Sequence, residues 1–229
     1  MTLVQEAPSI MQRLREETRS LHDAAERSVF QQALAAGKLP REGYVDSLAQ
    51  LLCIHRALET HLRRCGADVP AIGAVIRDHQ FQEQNLRDDL RHFGRDPESV
   101  TPMPAARDLV DSIDRAAAEN PVALLGYHYV LEGSKNGAKF IAARVRAAYG
   151  LNDSDGTRCL DPYGPRQRER WIAFRQDMDA VGFSRGETTA IFAAAATTFA
   201  GLTRLYDDLW RDGEAREAAY GHIRTFSKS

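Results

Sequence analysis

Nearly every long segment of this 229-residue chain carries the spacing of an amphipathic helix, and none shows convincing strand alternation. Met11, Leu14, Thr18, Leu21 and Ala25 step by threes and fours, and Gly37-Lys38-Leu39-Pro40 stops that run. Tyr44, Leu48, Leu51, His55, Leu58 and Leu62 form a second stripe, which ends near Gly66. The spacing predicts one helix from about Ala71 to His92, closed by Gly94, and a shorter one from Pro104 through Ala118. A long segment follows from Pro121 to Tyr149, interrupted at Gly133 and Gly137. The Asp-, Gly-, Ser- and Pro-rich stretch from Asn152 to Pro165 reads as a loop. Helix resumes over 166–181, and Ser184-Arg185-Gly186-Glu187 is a capping box that launches an Ala-rich helix to about Trp210. The fold expected is an all-α single domain of seven or eight helices over residues 10–211. Residues 1–9 are expected to be a flexible N-terminus and 212–229 a mobile tail.

Charge and composition remove several classes of function. Lys plus Arg (30) against Asp plus Glu (32) leaves a net charge of -2, so a general electrostatic grip on nucleic acid is not expected. No 18 apolar residues run together and the N-terminus lacks an apolar core, so neither a membrane span nor a signal peptide is expected. Cys53, Cys65 and Cys159 are widely spaced with no CxxC, as expected of reduced thiols in a cytoplasmic protein. There is no P-loop, dinucleotide fingerprint or zinc spacing.

Two helices carry residues that invite a chemical reading. At about 100° per residue, Arg15, Arg19, His22 and Glu26 fall within roughly 60° of one another, with the apolar stripe beside them. An imidazole at that seam can ligate a metal, and a carboxylate four residues on can engage its second nitrogen. The same pattern also suits a boundary histidine among solvated ion pairs. In the second helix Tyr129, Gly133 and Gly137 are spaced by four, with Ser134 and Ala138 flanking them. Each mid-helix glycine costs about 1 kcal/mol relative to alanine. Bare backbone lets the helix approach something flat, or else pack closely on a neighbouring helix. Both readings stand.

Taken together, the two helices resemble the haem oxygenase family. Leu14-Arg15-Glu16-Glu17-Thr18-Arg19-Ser20-Leu21-His22-Asp23-Ala24-Ala25-Glu26 is similar to the family's proximal helix. The Glu132-Gly133-Ser134 run with Gly137-Ala138 resembles the distal helix of the bacterial, biliverdin-producing branch. Thr198 to Leu209 resembles the last core helix, which places Phe199 near the haem.

The resemblance implies oxygen-dependent cleavage of haem to biliverdin, carbon monoxide and ferrous iron. Haem b would be both substrate and cofactor, with O2 as co-substrate. It implies His22 as the iron ligand with Glu26 toward its other nitrogen, and Arg15, Arg19 and Tyr129 as propionate partners. Gly133, Ser134, Gly137 and Ala138 would let the distal backbone lie close to the ring. Ser134 stands where many relatives, the animal enzymes included, carry the Asp that organises proton-delivering waters; bacterial members with Glu-Gly-Ser lack it too. Since no flavin or nicotinamide site is visible, electrons would come from a ferredoxin or an NAD(P)H-dependent reductase, and a biliverdin-binding photoreceptor is a candidate recipient of product. The alternatives are a non-catalytic haem carrier or sensor of the same fold, or a helical interaction module using Arg15 and Arg19.

Overall fold

The computed structural model describes residues 8–226, with side chains described as far as Glu214. The flexible stretch expected at 1–9 therefore falls largely outside the described residues. Among them the chain forms nine α-helices and four 3₁₀ turns, with no strand. The helices are α1 (Ile10–Glu26), α2 (Val29–Ala35), α3 (Arg41–Cys65), α4 (Pro70–Val75), α5 (Glu83–His92), α6 (Pro104–Glu119), α7 (Leu124–Tyr149), α8 (Gln167–Ala180) and α9 (Arg185–Phe226). None is long and apolar enough to cross a membrane.

α9 is the axis of the fold. α1, α6 and α7 pack along it, and α3 packs against α5 and α6. The apolar stripes turn inward: Leu14, Leu48, Leu52, Leu58, Leu125 and Leu205 are at most 1% exposed, each burial being worth roughly 1.5–3 kcal/mol. Two glycines set the closest approaches. A Cβ on Gly126 would lie 2.1 Å from the Ile191 carbonyl oxygen, and one on Gly201 would lie 2.5 Å from Leu109 Cγ. Only residues without a side chain let α7 and α6 come this near α9. The capping box forms as the sequence suggests: Ser184 N–H donates to Glu187 Oε2 at 2.8 Å, and Glu187 N–H donates to Ser184 Oγ at 3.3 Å.

Four features depart from the periodicity reading, the last at the C-terminus. First, α2 is a separate helix, because the Ser28 hydroxyl accepts from Gln31 N–H at 3.3 Å and starts it anew. Second, the helix expected from Ala71 to His92 is broken into α4, a 3₁₀ turn and α5. The cause is distant. The Glu59 carboxylate on α3 accepts from Gln82 N–H at 2.6 Å and Glu83 N–H at 3.2 Å, capping α5 from another helix. Arg77 meanwhile closes α4, donating to the carbonyls of Ala74 (2.7 Å) and Gly73 (3.2 Å).

Third, α7 is unbroken through Gly133 and Gly137. Its back face explains this. Lys135 Nζ donates to Glu132 Oε2 at 2.6 Å, to the Gln80 carbonyl at 2.8 Å and to Tyr163 Oη at 3.0 Å, all buried. Burial pushes the Lys135 ammonium down in pKa, and the Glu132 carboxylate beside it pulls the other way. The polar network clamps the helix on the side away from the glycines. At the C-terminus, α9 continues to Phe226, past the boundary expected near 211.

Candidate functional site

One contact orients the site. Tyr129 on α7 meets α1 at Thr18, with Arg15 on α1 and Arg175 on α8 close enough to act on its hydroxyl. Burial pushes the Tyr129 phenol up, against the hydrogen bond to Thr18 and the two guanidiniums. By the helical period, His22 lies one turn beyond Thr18 on the same face of α1. Gly133 and Gly137 likewise lie one and two turns beyond Tyr129, and Phe140 shares their face. Farther along, α2 closes on α7, where a Cβ on Gly37 would meet the Arg144 carbonyl oxygen at 3.3 Å and Ala148 Cβ at 3.5 Å.

The faces of α1 and α7 that carry His22 and Gly137 are open. The His22 side chain is 53% exposed. A Cβ on Gly137 would meet nothing within 4 Å, and Phe140 stands 68% exposed. Phe199 of α9 stands beside His22, its ring 5.8 Å from the imidazole in an edge-on arrangement. Gly133 differs from Gly137: a Cβ there would meet the Trp171 ring of α8 at 3.3 Å.

Each imidazole nitrogen faces a carboxylate on its own helix. His22 Nε2 is 3.6 Å from Glu26 Oε1, and Nδ1 is 3.7 Å from Asp23 Oδ1. Whichever nitrogen takes a metal, a carboxylate stands near the other, though both separations exceed hydrogen-bond length. Ligand atoms of the three residues lie within 4.8 Å of one another. On α7, Ser134 Oγ donates back to the Leu131 carbonyl at 2.8 Å, and Asn136 Nδ2 donates to the Gly133 carbonyl at 3.0 Å. Ser134 and Gly137 are exposed, while Gly133 and Ala138 are half-buried. Arg15 and Arg19 are both exposed on α1, but only Arg15 is placed to act on Tyr129.

Three other histidines are engaged elsewhere. His55 Nδ1 pairs with Glu59 Oε1 at 3.0 Å. His61 Nε2 pairs with Asp114 Oδ1 at 2.6 Å. His128 is 4% exposed and stands edge-on to Phe174. A cavity of about 550 Å³ lined by Asp46, Gln50, Arg95 and Thr101 contains neither His22 nor the glycines of α7.

Sequence reasoning missed Arg175, Trp171 and Phe140. Phe140 could have been found, because it shares the helical phase of Gly137. Arg175 and Trp171 could not, since nothing local says which face of α8 meets α7.

The residues present suit a flat, anionic, iron-bearing ligand. The imidazole of α1 is accessible, the backbone at Gly137 of α7 is bare, and two guanidiniums act on the phenol of Tyr129. Comparison with known proteins agrees in kind. The family model described as Heme oxygenase matches residues 8–208. Heme oxygenase 2 of a Synechocystis strain is 28% identical over 152 residues, which is 65% of this chain and 60% of that protein. The chain thus aligns with less than two thirds of that relative's length. Heme oxygenase of Rhodella violacea is 20% identical over 204 residues, covering 86% of this chain and 85% of that one. Among solved structures, Synechocystis heme oxygenase-1 in complex with heme superposes with a TM-score of 0.83, at 21% identity, over 97% of this chain and 100% of that one.

Proposed function

The chain belongs to the haem oxygenase family, and on that premise we propose that it cleaves haem with O2 to biliverdin, carbon monoxide and ferrous iron. The observation that carries this reading is the half-exposed His22 on α1 together with the open face of Gly137 on α7, which we read as the two walls of a haem groove. Haem when bound supplies the iron and the redox chemistry of its own oxidation, with electrons from a separate donor.

The chain's residues bind, orient and exclude. His22 would hold the iron, with Glu26 or Asp23 standing on the side of its other nitrogen. Arg15, Arg175 and Tyr129 gather at one end of the groove and receive the carboxylates there; Arg19, exposed on the same face of α1, adds positive charge. Phe199 sets the tilt of the imidazole from below. Gly137, Ala138 and Ser134 leave room for a flat ring against α7, and Gly133 shares that face. The Ser134 hydroxyl hydrogen is turned toward the Leu131 carbonyl, so the hydroxyl is left to accept a proton-carrying water rather than to donate to it.

Mixing purified protein with haemin and a reductant in air tests the reading. A Soret band should form and then decay as biliverdin-like absorbance grows. A stable complex with no tetrapyrrole product would overturn the oxygenase and leave a haem carrier or sensor. No Soret change at micromolar haemin would overturn haem binding altogether.

A further inference from the structure

The two glycines of the distal stripe have different neighbours. Gly137 meets nothing, whereas the missing side chain of Gly133 is replaced by the edge of Trp171, whose Cη2 and Cζ3 lie 3.3 and 3.7 Å from where a Cβ would stand. The indole is held in place. It stacks on Phe174, with centroids 5.5 Å apart and planes at 29°, and Phe174 is 1% exposed. It also leans on Tyr129, centroid to centroid 6.2 Å, and Tyr129 is itself 9% exposed. A large aromatic ring anchored on two buried rings does not swing aside easily.

We propose that Trp171 is a specificity-determining residue. Its indole forms the end wall of the groove and selects the in-plane orientation of the macrocycle, and so which meso edge is turned toward the cleavage position. The inference rests on the haem reading above. The cations beside Tyr129 attract the propionate edge, but they are long or exposed side chains, and charge alone lets a disc slew about that edge. A rigid apolar wall next to the anion-binding group removes the slewed poses by overlap with the neighbouring pyrrole substituents. One extra or missing apolar group in such a wall changes discrimination by about 10- to 200-fold. Gly133 thus makes room for the wall, and Gly137 leaves room for the ligand.

The test needs no turnover. Ferric haem is bound to wild type, Trp171→Ala and Trp171→Phe, cyanide is added, and the hyperfine-shifted haem methyl resonances are recorded by proton NMR. Wild type should show one dominant set, and Trp171→Phe should stay near it. Trp171→Ala should show at least two sets of comparable intensity, with a matching mixture of biliverdin isomers on turnover. If the alanine variant does not fold, Trp171→Leu takes its place, since it keeps packing against Phe174 but loses the flat edge.

A single set in the truncated variant, the same as wild type, would overturn the proposal. So would loss of haem binding in that variant alone, which would make Trp171 a binding contact rather than a selector. A wild type that binds no haem would instead bring down the haem reading, and this inference with it.

Discussion

The His22 imidazole stands edge-on to the Phe199 ring, their centroids 5.8 Å apart and their planes at 74°. A residue of α9 thereby limits the rotation of a side chain on α1 that is otherwise 53% exposed. If His22 is the sole protein ligand, His22→Ala should still admit haem, because the groove and its cations remain. The imidazole–iron spectrum should vanish, turnover should fall by at least about 100-fold, and added imidazole should partly restore the spectrum. Absorption spectra of the ferric complex with and without imidazole check this. An unchanged spectrum in His22→Ala would rule out the ligand assignment.

The cations should behave differently from one another. Arg15 and Arg175 both act on the Tyr129 hydroxyl. Charge-assisted contacts are worth about 1.5–3 kcal/mol when well formed, and less under solvent. Arg15→Ala and Arg175→Ala should each weaken haem retention by about tenfold (1.4 kcal/mol) with iron ligation unchanged. Arg19→Ala should weaken it less, since Arg19 is not among the charges acting on Tyr129. Haem transfer to an apo-globin acceptor measures all three.

Two glycines of α7 give a second contrast. Gly126→Ala drives a methyl to within 2.1 Å of the Ile191 carbonyl oxygen, an overlap with backbone that should cost at least about 1–3 kcal/mol. Gly137→Ala meets nothing and should stabilise the apoprotein by about 1 kcal/mol through helix propensity. It should nonetheless weaken haem binding, because the methyl enters the groove. Thermal melting and haem titration of both variants should move in opposite directions for Gly137→Ala only.

Acid should destabilise the fold in two stages. Burial holds His128 well below its ordinary pKa, with Lys135, His55 and His79 adding positive charge. The folded protein therefore binds fewer protons there than the unfolded chain. That cost begins as pH falls through about 6.5 and stops growing at the folded pKa. Burial alone would raise Glu59, but the hydrogen bonds from His55, Gln82 N–H and Glu83 N–H prevail and hold it below the usual carboxylate range. Its contribution is complete above about pH 4.3 and is lost as pH falls through the lower folded value. Asp89 works the other way: burial holds its carboxyl up in spite of donors from Cys159 and Arg158. Urea unfolding from pH 8 to 3 should show stability falling from about pH 6.5, with the first stage reduced in His128→Phe and the remainder due to His79, which burial also holds below its ordinary value.

Much of this protein is local and therefore legible in the chain. Helical phase is a matter of neighbours three and four residues apart, so the face of α1 bearing Arg15, His22 and Glu26 and the stripe of Tyr129, Gly133 and Gly137 follow from sequence spacing. The capping box at Ser184 is equally local. What the spacing leaves open is the meeting of one helix with another. Glu59 caps α5 across 23 residues of chain. Trp171, not a ligand, fills the space beside Gly133, and Gly126, which no sequence pattern marks, lets α7 lie against the backbone of α9. Those choices belong to the tertiary structure, because the fit of one helix surface against another is decided by side chains far apart in the chain acting together.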